Sequence, residues 1–157
     1  MAMIKMSDLK GPSKGFTLLE MFLVVAVMAA IGFVAARHYV SVSASSKANE
    51  TVLAVNHIHA ATASYSQDQG KQPSSVTTLV SAGYLASNYE KSPWGGSLSL
   101  GAEQNGKYTV SVNTIPTKSL CQMIYNRLKG SINPQSGEAV NYSGSGCSTV
   151  VVTYLAE

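Results

Sequence analysis

The first block of hydrophobic residues in this chain is apolar on every side. Residues 16–36 contain one charged residue, Glu20, and only apolar or small residues follow it as far as Arg37. A helix of about 21 residues rises about 31 Å, which is enough to cross the hydrocarbon core of a bilayer. The pattern therefore predicts a membrane-spanning helix.

The next block, residues 41–66, has apolar positions at helical spacing. These positions are Val52, Val55, Ile58, Thr62 and Tyr65, and they define one face of an amphipathic helix. No proline lies between residues 12 and 73, so nothing forces a helix break. The pattern predicts one long helix from Phe16 to about Asp68. Because Ser41–Ser46 has weak helix propensity, two helices with a flexible joint there remain an alternative.

Short elements follow the long helix. Ser74 or Ser75 can cap a short helix that contains Leu79 and ends at Gly83. Residues 92–96 contain a proline and two adjacent glycines, which predicts a tight turn. Trp94 lies in this turn, and burial habits favour a core anchor over a ligand platform there.

Alternating apolar and polar residues then predict strands. The candidates are Ser97–Leu100, Tyr108–Val112 and Thr149–Leu155, and the last is the richest in β-branched residues. Asn105-Gly106 lies between the first two and is a hairpin turn signal.

A second amphipathic helix is predicted between the last two strand candidates. Leu120–Lys129 has apolar residues at helical spacing, Thr117 or Ser119 can cap it, and Gly130 can end it. Ser131–Gly146 is polar and rich in glycine, asparagine and serine, which predicts a surface loop. The sum of these elements is an α+β fold. In it, the second half of the long helix packs on an antiparallel sheet of about four strands.

The distribution of charge predicts how the apolar stretch is oriented in the membrane. Charged residues are 12% of the chain and the formal net charge is +3, which is too weak and too scattered for a nucleic-acid footprint. Residues 1–15 contain Lys5, Lys10 and Lys14 against Asp8, a net charge of +2. A basic leader before an apolar stretch places the N-terminus in the cytoplasm and the residues after Arg37 outside it.

Three interpretations of the apolar stretch compete. A secretory signal peptide usually has an apolar region of only about 7–15 residues, so this stretch is too long for one. A plain signal anchor fits its length. Neither explains Glu20, because a carboxylate within an apolar span costs about 2.5–3.5 kcal/mol on insertion and is a functional candidate by default.

The third interpretation depends on the residues around Glu20. Lys14-Gly15-Phe16-Thr17-Leu18-Leu19-Glu20 resembles the prepilin-peptidase site of type IV pilins and of the related type II secretion pseudopilins. The resemblance implies cleavage between Gly15 and Phe16 and N-methylation of Phe16. It also implies that Glu20 faces the N-terminal amine of a neighbouring subunit during assembly.

The same resemblance implies an organisation and a destination for the chain. Residues 1–15 would be the prepilin leader peptide, residues 16–40 the hydrophobic N-terminal helix, and residues 41–157 a globular pilin domain that includes the second half of the long helix. The expected fold is a pilin-like α/β-roll. The precursor would reside in the bacterial inner membrane with its N-terminus in the cytoplasm. The mature subunit would then enter an extracellular pilus.

The partners that the resemblance implies are copies of the same chain, the prepilin peptidase, and the assembly platform with its ATPase. The major subunit of a pilus for adhesion, self-association or conjugation is the expected function. A minor pilin, a pseudopilin of a secretion system and a membrane-anchored periplasmic binding module remain alternatives.

The chain contains two cysteines, Cys121 and Cys147. The orientation above puts both in an oxidising space, so a disulfide between them is expected, with two free buried thiols as the alternative. A cysteine pair near the C-terminus also resembles the disulfide-bounded region of type IV pilins. Ile115-Pro116 ahead of a helical Cys121 resembles the type IVb subclass, whereas Phe16 as the first mature residue is commoner in type IVa.

No catalytic set emerges from the sequence. His57 and His59 are two residues apart and lie on different helix faces, so they do not form a helical metal pair, and His38 borders the apolar stretch. The acidic residues after Glu20 are dispersed. The expectation is a structural protein without cofactor or metal rather than an enzyme.

Overall fold

The computed structural model of the protein describes residues 16–143 and 146–156, except for the side chain of Glu103. The proposed leader, residues 1–15, lies outside the described residues. The chain divides into two compact units, of which the first ends at Val40 and the second begins at Ser41. Each unit is built around its own part of the first helix.

The first helix, α1, spans Leu18–Gln69. Thr17 precedes it and caps its first turn, and Gly70, with φ of +64°, follows its last residue. The weakly helical Ser41–Ser46 lies within α1, so the prediction of one helix rather than two is confirmed by these bounds. In the second unit, packing of one face supplies the stability that local propensity lacks.

The part of α1 in the second unit buries one stripe of side chains against the core. The buried positions are Ala48, Thr51, Ala54, Val55, Ile58, Ala61, Thr62 and Tyr65. The predicted face is correct except at Val52, which is only half-buried, while Thr51 is fully buried. The Thr51 hydroxyl donates to the carbonyl oxygen of Lys47 at 2.8 Å, and this bond offsets the desolvation of a buried polar group.

The short helix α2 spans Val76–Ser81 and begins as the sequence predicts. Its N-cap is Ser75, whose side chain accepts a hydrogen bond from the Thr78 amide. The tight turn at residues 92–96 is also present, because the Gly95 amide donates to the Ser92 carbonyl at 2.9 Å and Gly95 has φ of +86°. A one-turn 3₁₀ helix, Ser87–Glu90, lies between α2 and this turn.

Four strands form one antiparallel sheet in the order β1-β2-β4-β3. They are β1, Leu98–Gln104; β2, Lys107–Val112; β3, Ala139–Ser143; and β4, Thr149–Leu155. Along β2 and β4 every second side chain is buried, so one face of the sheet covers the core. The hairpin between β1 and β2 turns at Asn105 and Gly106, which both have positive φ as a two-residue type I′ turn requires.

The prediction of a loop over Ser131–Gly146 is wrong in its second half, where β3 pairs with β4. β3 shows no clear alternation because Val140 is its one buried residue, and the next two residues, Asn141 and Tyr142, are both exposed. An edge strand with one buried side chain resembles a polar loop in sequence.

The third helix, α3, spans Lys118–Lys129 with Thr117 as its N-cap and Gly130 as its C-cap. Its buried stripe consists of Leu120, Cys121, Ile124 and Leu128. Cys121 is bonded to Cys147 with Cα atoms 5.9 Å apart, so a disulfide ties α3 to the segment before β4. The fold is therefore α+β, with a long N-terminal helix and a four-stranded antiparallel sheet.

Candidate functional site

Residues 16–40, which we call the apolar segment, form the most unusual surface of the molecule. Every residue of this segment is exposed in the first unit. Within α1, an 18-residue window has a mean hydropathy of 2.5 and no buried residue. By length and composition, this helix is the one among the described residues that is apolar enough to cross a membrane.

The exposed side chains of the apolar segment are large. Burial of apolar surface stabilises by about 25 cal/mol per Å², so a helix that exposes this much of it gains from any apolar surroundings. The large exposed residues are Phe16, Leu18, Leu19, Met21, Phe22, Leu23, Val24, Val25, Val27, Met28, Ile31, Phe33, Val34, Tyr39 and Val40. Lipid chains or the apolar helices of other molecules would supply such surroundings.

Glu20 is the one charged residue among these side chains until Arg37, and it lies in the first turn of α1. Its backbone amide donates to the Thr17 carbonyl at 3.0 Å and to Thr17 Oγ1 at 3.3 Å. Thr17 is therefore the N-cap, and Glu20 occupies the third helical position, where a carboxylate faces the positive end of the helix dipole. Glu20 thus has a favourable position within its own chain.

This capping interaction is a feature that the sequence analysis missed. The signal was present, because threonine followed three residues later by glutamate at the start of an apolar run is a capping-box pattern. The proposed cleavage falls just before this cap. Phe16 is described and 76% exposed, whereas Gly15 lies outside the described residues, so the cleavage and the methylation stay predictions.

The C-terminal end of the apolar segment has a basic and aromatic character. The Arg37 guanidinium lies over the Phe33 ring, 4.4 Å from its centre, and the neighbouring Tyr39 is 76% exposed. Arginine and tyrosine side chains combine an apolar stem or ring with a polar tip, which suits them to the boundary between hydrocarbon and water. This composition fits a helix that leaves an apolar phase near Arg37.

In the second unit, Arg127 of α3 fixes the start of the packed part of α1. Its guanidinium donates to the Ser45 carbonyl at 3.1 Å, to Ser45 Oγ at 3.0 Å and to the Asn49 side-chain oxygen. Hydrogen bonds from a charged donor are stronger than neutral ones. The weakly helical serine-rich stretch is therefore held from outside at Ser45.

The histidines of α1 pack against tyrosines. His57 is exposed and lies 4.8 Å from the Tyr89 ring. His59 contacts the Tyr108 hydroxyl through Nδ1 and stacks on Tyr154, with ring centres 4.1 Å apart. Burial, followed by the negative charge of Glu138, raises the pKa of Tyr154 to about 12. The His59 contacts join α1 to the sheet, and the His57 contact joins it to the 3₁₀ helix.

Within residues 16–143 and 146–156, no three histidine, cysteine or acidic side chains come together as a metal site would require. Trp94 is half-buried and packs against the hydrophobic core, as the sequence predicts.

Comparison of the chain with known proteins finds no matching family model, no matching curated protein and no matching solved structure.

Proposed function

We propose that this chain is the major structural subunit of a type IV pilus, similar to the type IVb subclass, and not an enzyme. A prepilin peptidase cleaves it between Gly15 and Phe16 and methylates the new N-terminus. The subunit then leaves the bacterial inner membrane and polymerises into an extracellular filament through an assembly platform and its ATPase. The second unit is the pilin domain, an α/β-roll on the filament surface.

One observation carries the proposal. The apolar segment exposes large hydrophobic side chains all round, and its first turn contains a single carboxylate, Glu20. A simple anchor needs the hydrophobic residues but not the charge, which is costly in lipid. Helices that bundle with copies of themselves use both, because the charge can pair with a neighbour.

The mechanism follows from this arrangement. In the membrane, lipid surrounds the apolar segment. In the filament, the segments of neighbouring subunits surround one another instead, and Glu20 meets the N-terminal amine of an adjacent Phe16. Such a pair contributes about a few kcal/mol at close range in a partly dry environment, reduced by the desolvation of both charges. The pair sets the axial register between subunits.

A second candidate is a membrane-anchored periplasmic binding module, and the Thr17–Glu20 contact favours it. A glutamate at the third helical position stabilises its own helix start without any neighbour. In that case the apolar segment is only an anchor, and Glu20 contributes about 0.3–1 kcal/mol as a cap.

Two substitutions at Glu20 separate these candidates. Glutamine can replace glutamate in a capping box but carries no charge. Alanine provides neither the capping hydrogen bond nor the charge. If Glu20 pairs with a neighbour's amine, Glu20→Gln and Glu20→Ala are both lost from filaments when co-expressed with the parent chain, by about tenfold or more. If Glu20 is only a cap, Glu20→Gln behaves as the parent chain does.

The readout is the ratio of variant to parent in sheared surface filaments, divided by the same ratio in the membrane fraction. Glu50→Gln is a matched control, because Glu50 is an exposed glutamate of α1 in the second unit. Efficient incorporation of Glu20→Gln contradicts the assembly role of the Glu20 charge, whereas absence of the parent chain from the filaments supports the anchored module. Abundance of the chain in the filaments separates a major subunit from a minor one.

A further inference from the structure

A hollow of about 500 Å³ opens on the face of the sheet that points away from the core. Its floor is formed by three residues that are direct neighbours across the strands, because Gly101 pairs with Thr109 and Thr109 pairs with Thr153. Gln104 and Asn105 of the hairpin form its rim. The volume falls in the range of small-molecule sites, about 300–1,000 Å³.

Two backbone features shape this hollow. β1 contains a β-bulge between Gly101 and Gln104, where its register against β2 shifts. Bulges re-aim side chains and are common beside binding sites. A Cβ atom on Gly101 would overlap Thr109 Oγ1. The absence of a side chain at Gly101 therefore leaves room for the Thr109 hydroxyl in the hollow. Any larger residue at position 101 would displace that hydroxyl.

Lys107 forms the charged wall of the hollow. Its ammonium donates to the Gly137 carbonyl at 3.1 Å, which holds the side chain between β2 and the segment before β3. An ammonium carries three N–H donors, and this bond uses one of them. Lys107 is also half-buried, so its position is better defined than that of a fully solvated lysine.

The chemistry of the lining selects a class of ligand. Among the described residues of the lining, Lys107 brings a positive charge and none brings a negative one. The threonine hydroxyls and the side-chain amides can donate or accept hydrogen bonds, as the hydroxyl groups of a sugar require. A purely apolar ligand would leave these groups unpaired.

We propose that the hollow binds a small ligand that carries a carboxylate beside hydroxyl groups, the chemistry of an acidic monosaccharide. The carboxylate pairs with the Lys107 ammonium, and the hydroxyl groups lie on Thr109 and Thr153. The site faces away from the core and involves no residue of the apolar segment, so it does not depend on the filament proposal.

The test uses the full ¹⁵N-labelled chain in detergent micelles, titrated with D-glucuronate and, separately, with D-glucose. We expect saturable amide shifts at Gly101, Lys107, Thr109 and Thr153 with glucuronate, at a Kd on the order of 1 mM. Glucose lacks the carboxylate, so its binding should be weaker by about tenfold or more, the value of a charge-assisted hydrogen bond.

Variants assign the binding to the hollow. Lys107→Gln should weaken glucuronate binding by about tenfold or more, and Thr109→Val should weaken it by a smaller factor. Lys71→Gln changes an exposed lysine outside the hollow and should have no effect. Dispersed amide spectra of each variant establish that it is folded. Equal shifts with glucose, no saturable shift, or unchanged binding by Lys107→Gln would overturn the proposal.

Discussion

The two parts of α1 belong to one helix but have opposite surfaces. Residues 16–40 expose apolar side chains in every direction, and not one of them is buried. Residues 43–69 bury one stripe that includes Val55, Ile58 and Tyr65, and they present polar or small residues elsewhere with Leu53 as the main exception. The first part has no buried side chain, whereas the second part is a component of a folded core.

This difference separates two sources of stability. Packing within the chain stabilises the second part of α1, through the sheet, α3 and the Arg127 hydrogen bonds. Surroundings outside the chain, either lipid or other subunits, can stabilise the first part by burial. A substitution should therefore affect folding in one part and assembly in the other.

Two isoleucines, one in each part of α1, should give the largest difference in the free energy of unfolding when each is replaced. Ile58 is fully buried and Ile31 is 65% exposed. We expect Ile58→Ala to lower the free energy of unfolding of the second unit by about 2–5 kcal/mol, because it leaves a cavity in a packed core. Ile31→Ala should leave that free energy unchanged within about 0.5 kcal/mol.

The measurement is urea unfolding of the full chain in detergent micelles, followed by the fluorescence of Trp94, the only tryptophan. Val55→Ala is a second buried variant, because Val55 is also fully buried. Equal losses for Ile31→Ala and Ile58→Ala would contradict the separation of the two parts.

Substitution of Arg127 should change the stability less, and its effect should be confined to the start of the packed part of α1. Replacement by methionine keeps much of the side-chain volume but removes the hydrogen bonds to Ser45 and Asn49. We expect the free energy of unfolding to fall by about 1–3 kcal/mol. Hydrogen exchange of the amides in residues 41–46 should become faster, because weak propensity alone then holds that helical stretch.

Lys129→Met serves as the control, since Lys129 is an exposed residue of the same helix whose ammonium lies 5.9 Å from the centre of the Tyr125 ring. Unchanged exchange at residues 41–46 in the Arg127→Met variant would show that the serine-rich stretch needs no external support.

The smallest effect is a pH dependence in the second unit. The pKa of Tyr154 is raised to about 12 by burial, whereas an exposed tyrosine ionises near 10. The stability from neutral Tyr154 is therefore fully present below pH 10 and is lost as pH rises towards 12, because only the unfolded chain ionises in that interval. The loss by pH 11 should be about 1 kcal/mol.

Tyr154→Phe should flatten this part of the pH profile. Tyr39→Phe in the apolar segment should leave the profile unchanged, because Tyr39 lies outside the folded core and is 76% exposed. The same slope in the Tyr154→Phe and parent profiles would assign the pH dependence to other groups.

The sequence predicts the elements that local chemistry controls. The caps at Ser75 and Thr117 and the turn at Asn105-Gly106 are present because each depends on a few adjacent residues. The disulfide between Cys121 and Cys147 is also present. The cap of α1 at Thr17 depends on local chemistry in the same way, because Thr17 and Glu20 are three residues apart.

Features that depend on distant residues are not readable from the sequence. The Arg127–Ser45 contact joins residues 82 positions apart, and nothing near either residue indicates the other. β3 forms because β4 offers a free edge, although its own composition is that of a loop. The hollow at Gly101 likewise requires the cross-strand register and the bulge.

The direct test of the account is the mature N-terminus of the chain in surface filaments. Filaments sheared from cells that possess a prepilin peptidase are analysed by intact mass and by N-terminal sequencing. The account predicts an abundant chain that begins at Phe16, carries one added methyl group and contains the Cys121–Cys147 disulfide. A chain that begins at Met1, or after the apolar segment, would contradict it.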